Sequence, residues 1–258
     1  MTSSVDLTGR VVIVTGASRG IGKGLAIGLA GLGAQVVCAA RSVSAQPGGM
    51  PGTIHDTVAE ITDAGGTAIA VRCDIGDAAE ITHLVDATVT AFGGLDVLVN
   101  NAMAPTQALF DESTVEQWDE SMRVNVRSLY LFTRAVVPLM AARGGGSIVN
   151  ISSHAADHAT TPYMPPGYLI YTVAKAALER FTSALAPEVQ PLGIVVNALR
   201  PGAVKTEMTE LEYGPDHDWS GWTSPSDVVA PVAALAAAAG SAFTGNVIDV
   251  GGFGKTWG

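Results

Sequence analysis

Short, largely apolar runs recur along this chain, most followed by a segment of helical spacing. The first is Val11-Val12-Ile13-Val14; others lie at 36–39, 68–73, 97–99, 147–151, 194–199 and 247–250. A strand without a polar face is buried on both sides, as strands of a parallel sheet are. Parallel neighbours need a crossover, and the intervening segments can supply it. Helices are expected over 20–32, 57–64, 77–92, 114–143 and 171–192, with a further one opening at Ser224-Pro225-Ser226-Asp227. For the helix over 114–143, Ser113 or Thr114 is the expected N-cap and Gly144 the stop. Pro187 and Pro191 should shorten or bend the end of the helix over 171–192. The expected fold is α/β: a three-layer, doubly wound parallel sheet of the Rossmann type, with about seven strands in the order 3-2-1-4-5-6-7.

No change of composition marks a linker, so residues 1–258 are read as one domain. A chain that is 48% hydrophobic can fill such a core. Two irregular stretches, 45–52 and 154–167 (the latter with Pro162, Pro165 and Pro166), are long enough to call for a functional explanation. The formal net charge of −10 comes without a run of basic residues, which argues against nucleic-acid binding. Residues 1–7 have no basic and apolar leader pattern. The longest apolar stretch, 228–239, is too short for a bilayer and contains Pro231. Cys38 and Cys73 sit in apolar runs and form no CxxC pair, so core thiols in a reducing compartment are expected. Together these features predict a soluble, cytoplasmic protein without nucleic-acid or membrane partners.

The first strand runs into Thr15-Gly16-Ala17-Ser18-Arg19-Gly20-Ile21-Gly22, a GxxxGxG turn before a helix. Glycines let the backbone approach a pyrophosphate, and a helix N-terminus offers unpaired N–H groups and the positive end of its dipole. The commoner GxGxxG spacing is not matched, since Leu25 stands where its last glycine would be.

Further segments appear in a characteristic order: CDI at 73–75, NNA at 100–102, VN at 124–125, SIVNISS at 147–153, YTVAK at 171–175, NALRPG at 197–202 and TG at 244–245. With TGASRGIG at 15–22 they resemble the short-chain dehydrogenase/reductase family in its compact single-domain branch, nearly end to end from Leu7 to Gly252. The resemblance implies a nicotinamide-dependent oxidoreductase acting on a small carbonyl or alcohol, working as a homotetramer or homodimer. The helices from Thr114 and Tyr171 would be the pairing surfaces. It places Gly16, Ser18, Gly20 and Ile21 on the cofactor phosphates and Asp74, with Ile75 beside it, near the adenine. Asn101 and Ala102 would run along the ribose, and Asn100 would brace the central strands. Pro201, Gly202, Val204 and Thr206 would meet the nicotinamide, the Val204 backbone and Thr206 hydroxyl binding its carboxamide. Residues 206–222 would form the substrate lid.

Charge separates NADP from NAD. An NAD site wants a carboxylate at the end of the second strand for the ribose 2′-hydroxyl. Here that position is Ala40, followed by Arg41, while Arg19 sits in the glycine turn. Two guanidinium groups can clamp a 2′-phosphate, so NADP(H) is expected over NAD(H).

Tyr171 and Lys175 are one helical turn apart and share a face. Tyr168 has no such partner, its i+4 residue being Thr172. A free phenol is a poor acid near neutrality. An ammonium ~4 Å away at an effective dielectric of ~20 contributes roughly 4 kcal/mol, enough to pull the phenol toward neutrality. Tyr171 is then the acid/base and, with Lys175, also lies along the cofactor. By the resemblance, Ser153 bonds the carbonyl oxygen, with Ser152 the second choice. Asn125 is the fourth catalytic member, holding a water that links Lys175 to solvent.

Several features depart from the family pattern. The 18 residues from Ser153 to Tyr171 exceed the usual spacing, which implies an enlarged loop walled by Met164 and Tyr168. Met103 replaces the expected glycine after NNA, and the C-terminal acid is displaced to Asp249. His154, Asp157 and His158 do not have metal-ligand spacing, so no metal is expected. The lid is acidic and aromatic (Glu207, Glu210, Glu212, Tyr213, Trp219, Trp222), which suits a neutral, apolar carbonyl compound. The alternatives are dehydration or epimerisation on the same scaffold, and a dinucleotide-binding sensor without turnover.

Overall fold

A computed structural model describes residues 5–45, 48–159 and 164–257. Parts of the N-terminal reading (1–4) and of the two irregular stretches (46–47 and 160–163) lie outside the described residues.

Seven parallel strands form one sheet in the order β3-β2-β1-β4-β5-β6-β7, as expected. They are β1 Val11–Thr15, β2 Gln35–Ala40, β3 Thr67–Arg72, β4 Val97–Asn100, β5 Gly146–Ile151, β6 Ile194–Arg200 and β7 Val247–Asp249. Along β1, Val12 and Val14 join the apolar cluster on one face, while Val11 and Ile13 join the other. The first cluster includes Leu25, Leu29 and Val232 from the helices that cover it; the second includes Leu84, Phe132 and Met140. Burial on both faces is the physical reason the inner strands β1, β2, β4, β5 and β6 carry no polar alternation, whereas the edge strands β3 and β7 are partly exposed.

The chain moves outward from β1 to β2 and β3, then crosses back to β4 on the other side of β1. A crevice opens at the carboxyl ends of strands where the direction of winding reverses.

The helices are α1 Gly20–Gly31, α2 Ile54–Asp63, α3 Ala78–Phe92, α4 Val115–Met122, α5 Ser128–Ala142, α6 Leu169–Val189, α7 Glu207–Tyr213 and α8 Val229–Ala236. Helix α2 starts three residues earlier than expected because Thr53 and Asp56 form a reciprocal capping box. Asp77 caps α3, and Gly93 ends it in the left-handed region at φ 78°.

The long helical region expected over 114–143 runs from Val115 to Ala142, its α-helical pattern interrupted by a π turn, Arg123–Arg127, between α4 and α5. Within it the Asn125 side chain reaches out to the backbone of Ala104, and just beyond it the Ser128 hydroxyl donates back to the Val124 carbonyl at 2.6 Å. Such widened turns recur at functional sites. Pro187 does not end α6, which runs on to Val189 before a 3₁₀ turn holding Pro191.

Candidate active site

A cleft of about 690 Å³ opens over the carboxyl ends of the strands. Every residue assigned above to the cofactor lines it: Gly16, Ser18, Arg19, Gly20 and Ile21 of the first turn; Arg41, Asp74, Ile75, Asn101 and Ala102 of the next three strand ends; and Tyr171, Lys175, Pro201, Gly202, Val204 and Thr206.

The glycine turn has the shape a dinucleotide requires. Gly16 has φ 70°, and a Cβ there would stand 2.8 Å from the Asn101 Nδ2, which itself donates to the Thr15 carbonyl. A Cβ on Gly22 would strike the Gly16 carbonyl. The turn therefore folds back tightly and leaves the amino end of α1 facing the cleft. One amide there is already engaged: the Gly20 N–H donates to Glu207 Oε2 at 2.9 Å. A carboxylate thus occupies a position that suits a phosphate oxygen. The cradle fits a dinucleotide on shape and on the anion it holds.

The two arginines differ in their surroundings. Arg19 turns toward the 50–52 stretch, its Nε donating to the Pro51 carbonyl at 2.8 Å and one terminal nitrogen to Ser42 Oγ at 3.1 Å and the Gly52 carbonyl at 3.1 Å. Arg41 is exposed at the end of β2, beside the buried Ala40. Both line the cleft, Arg19 held against residues 50–52 and Arg41 exposed.

Ser153, Tyr171 and Lys175 come together at the cleft floor. Ser153 follows β5 and caps a short 3₁₀ turn, its Oγ accepting from the Ala155 N–H at 3.1 Å. That hydroxyl also faces the Tyr171 phenol, which it acts to lower. One turn further along α6, Lys175 is buried, its Nζ donating to the Ile151 carbonyl at 2.7 Å and lying 5.8 Å from the centre of the Tyr171 ring. Burial depresses the ammonium to about 8, while the Glu179 carboxylate opposes that fall. The Tyr171 phenol is pushed up by burial, which outweighs the lowering by the Ser153 hydroxyl. In the protein by itself both groups are thus shifted chiefly by burial, the phenol upward and the ammonium downward.

Asn125 does not line the cleft. Its Oδ1 accepts from the Ala104 N–H at 2.8 Å, and its Nδ2 donates to the Ala104 carbonyl and to Ser121 Oγ, each at 3.0 Å. The side chain ties the loop after β4 to the π turn, which packs against α6. Asn100 bonds Asn150, and Asn150 bonds Thr182, bracing β4 to β5 and α6 as expected.

Residues 206–222 leave the body from a clasped base, where the Lys205 N–H donates to the Thr223 carbonyl and the Thr223 N–H to the Ala203 carbonyl, and their Glu207, Met208, Glu212, Tyr213 and Trp222 line the cleft. Thr206 caps α7, its hydroxyl accepting from the Thr209 N–H. Tyr213, His217, Trp219 and Trp222 then form an aromatic cluster with ring centres 4.6 to 6.4 Å apart. Tyr168 donates to Glu212 Oε1 at 2.8 Å, joining this segment to the enlarged loop.

Two groups escaped notice in the sequence. Glu179 stands one turn beyond Lys175 and accepts a two-pronged bond from Arg200 at 2.8 Å on each oxygen, while Ser152 Oγ donates to it at 2.7 Å. Arg200 also holds Asp157 at 2.7 Å, so that carboxylate serves an ion pair. The i+4 step from Lys175 was the available signal for Glu179; nothing local marked Arg200. Both cysteines are buried free thiols, and burial pushes each up to about 12.

Sheet order, glycine cradle and cleft define a nicotinamide-dinucleotide oxidoreductase of the α/β class. A family model for short chain dehydrogenases matches residues 10–214. The chain is 36% identical over 256 residues to a 3-oxoacyl-(acyl-carrier-protein) reductase of Synechocystis sp., covering 95% of this chain and 97% of that protein. It is 32% identical over 261 residues to a chloroplastic NADPH-dependent aldehyde reductase-like protein of Arabidopsis thaliana, with 96% and 95% covered. A solved structure from Beutenbergia cavernae, provisionally named an NAD(P)-dependent gluconate 5-dehydrogenase and holding NADP at low occupancy, matches with a TM-score of 0.81 and 32% identity, covering 97% of this chain and 99% of that one. The chain belongs to the short-chain dehydrogenase/reductase family.

Proposed function

We propose that the protein is an NADP(H)-dependent reductase or dehydrogenase for a carbonyl or secondary alcohol in a small, neutral, apolar molecule, with Tyr171 as the acid/base. The observation that carries this reading is the convergence of Ser153, Tyr171 and Lys175 on the floor of a cleft whose other end is the glycine cradle. Bound nicotinamide supplies or accepts the hydride. The protein's own groups handle the oxygen and its proton: Ser153 holds the carbonyl oxygen, and the Tyr171 hydroxyl donates as charge builds there. Lys175 is fixed by the Ile151 carbonyl and lends positive charge to the phenol. Asn125 is the fourth member of the set, its amide holding the loop after β4 to the π turn that packs against α6.

NADP over NAD is favoured by Ala40, which offers no carboxylate to repel a 2′-phosphate, and by the exposed Arg41. The Arabidopsis relative's name and the NADP in the Beutenbergia structure agree with it. An apolar substrate is favoured by Met103, Met164, Met208, Tyr213 and Trp222 on the cleft wall, and the Glu207 and Glu212 carboxylates there disfavour anionic ones. In this reading the chain works as one domain with residues 206–222 as its lid. Exposed Phe110, Val115, Tyr130 and Leu169 support self-association through the α4–α5 and α6 faces.

The test is consumption of NADPH against ketones, diketones and quinones, with NADH in parallel. Turnover preferring NADPH and neutral substrates is expected. Dinucleotide binding without turnover of any carbonyl compound would point to the sensor reading, and failure to bind either dinucleotide would overturn the proposal.

A further inference from the structure

We propose that Glu179 is a positioning residue for the reaction, holding the Ser152 segment and facing Lys175 so that Ser153, Tyr171 and Lys175 keep their alignment. This rests on the function proposed above.

Tyr171, Lys175 and Glu179 follow one another at four-residue steps on one face of α6. Ser152, which Glu179 grips, lies between two groups the chemistry uses. On one side the Ile151 carbonyl fixes the Lys175 ammonium; on the other the Ser153 hydroxyl faces the Tyr171 phenol. The same carboxylate takes the fork of Arg200, the last residue of β6, immediately before Pro201 and Gly202 at the nicotinamide end of the cleft. One side chain therefore ties α6, β5 and β6 together at their shared rim. Arg200 in turn holds Asp157 at the start of the enlarged loop, so that insertion is moored to the same knot.

Glu179 and Arg200 have side chains only 11% and 13% exposed, and charges so placed persist when their hydrogen bonds are complete. A salt link serving stability alone has no need of Ser152 or of a place beside Lys175. The groups around the ammonium are Tyr171 and Glu179 on its own helix and the Ile151 carbonyl with the Ser152 and Ser153 hydroxyls from β5. From β6, Arg200 acts through Glu179, with Asp157 behind it. Among the described residues, Glu179 is the charge that offsets the desolvation of Lys175.

Glu179→Gln keeps the shape and removes the charge. Its kcat for carbonyl reduction is expected to fall about tenfold with KM for the dinucleotide within about twofold. The alkaline limb of its pH profile should move to lower pH, because Lys175 loses its proton more readily. A readout independent of turnover is thermal unfolding of the dinucleotide-free protein. The stability gained as buried Lys175 discharges should set in at lower pH in Glu179→Gln than in the unaltered chain, and the difference should vanish when Lys175→Met is added. Ser152→Ala removes the hydroxyl's bond to Glu179 and leaves the charge in place, and should lower kcat about threefold with the limb unmoved. It also covers the case in which Glu179→Gln fails to fold. Unaltered kcat in Ser152→Ala, or an unmoved limb and unmoved stability onset in folded Glu179→Gln, would overturn the proposal. Absence of turnover in the unaltered protein would instead defeat the reading of function, leaving the unfolding experiment to judge Glu179.

Discussion

The floor of the cleft and its cover are built on opposite terms. On the floor, Lys175, Glu179 and Arg200 are largely withdrawn from water, and each is bonded to a partner from another element. Residues 206–222, the proposed cover, have their own aromatic cluster but meet the body through exchangeable carboxylate contacts, Glu207 on the Gly20 N–H and Glu212 on the Tyr168 hydroxyl and the Gln107 side-chain amide. Met208, Leu211 and Tyr213 stay exposed. Buried charge pairs are costly to break and fix geometry, whereas exposed contacts rearrange cheaply. The difference separates a part that must keep its alignment through the reaction from a part that must admit ligands.

Lys175→Met attacks the floor most severely. A loss of about 10²–10⁴ in kcat is expected, since the acid/base loses its charged partner. The same change should favour the folded state near neutral pH. Below about 8 the folded protein bears the burial of a charged Lys175, which the unfolded chain does not. From about 8 toward the ordinary lysine value the folded form sheds that proton first, so this penalty fades as pH rises. Thermal unfolding should therefore show any advantage of the Met variant shrinking across that interval. An advantage that grows there would contradict the assignment.

Arg200→Met leaves Glu179 charged and unpaired. Breaking a buried pair costs about 3 kcal/mol, or roughly 6–12 °C in Tm. A shift under about 2 °C would show that the floor is no firmer than the cover.

On the cover, Glu207→Gln removes the charge now seated at the amino end of α1. Dinucleotide phosphates must displace that carboxylate, so NADPH should bind about tenfold more tightly, a gain of about 1.4 kcal/mol. Trp219 and Trp222, in the same segment, offer a fluorescence signal for the titration. Weaker binding would mean that Glu207 assists the cofactor. The smallest effect is expected from Tyr168→Phe: with one exposed lid contact gone, substrate KM should change by less than about threefold and Tm by under about 2 °C.

The same contrast governs how much could be read from the sequence. The strands and the shared face of Tyr171 and Lys175 were legible because apolar runs and a four-residue step are local signals, whereas the place of Ser153 beside them came from the family resemblance. Glu179 and Arg200 were not, since their pairing depends on α6 packing over β6, twenty-one residues apart in the chain. The break at Arg123–Arg127 escaped because its causes lie in the contacts Asn125 and Ser128 make with neighbouring backbone, which helical periodicity does not register. Arg19 was identifiable as a cation near the cofactor, but its direction is set by the carbonyls at 50–52. Acidity of the cover was plain, whereas the docking of Glu207 on Gly20 required the fold to bring together residues 187 apart.

The most direct test of Tyr171 as the acid/base pairs turnover with binding in Tyr171→Phe. NADPH affinity, measured by titration, should stay within about threefold of the unaltered protein, while NADPH-dependent carbonyl reduction falls by about 10²–10⁴. A Phe variant that binds NADPH equally well and still reduces the substrate at an undiminished rate would contradict it.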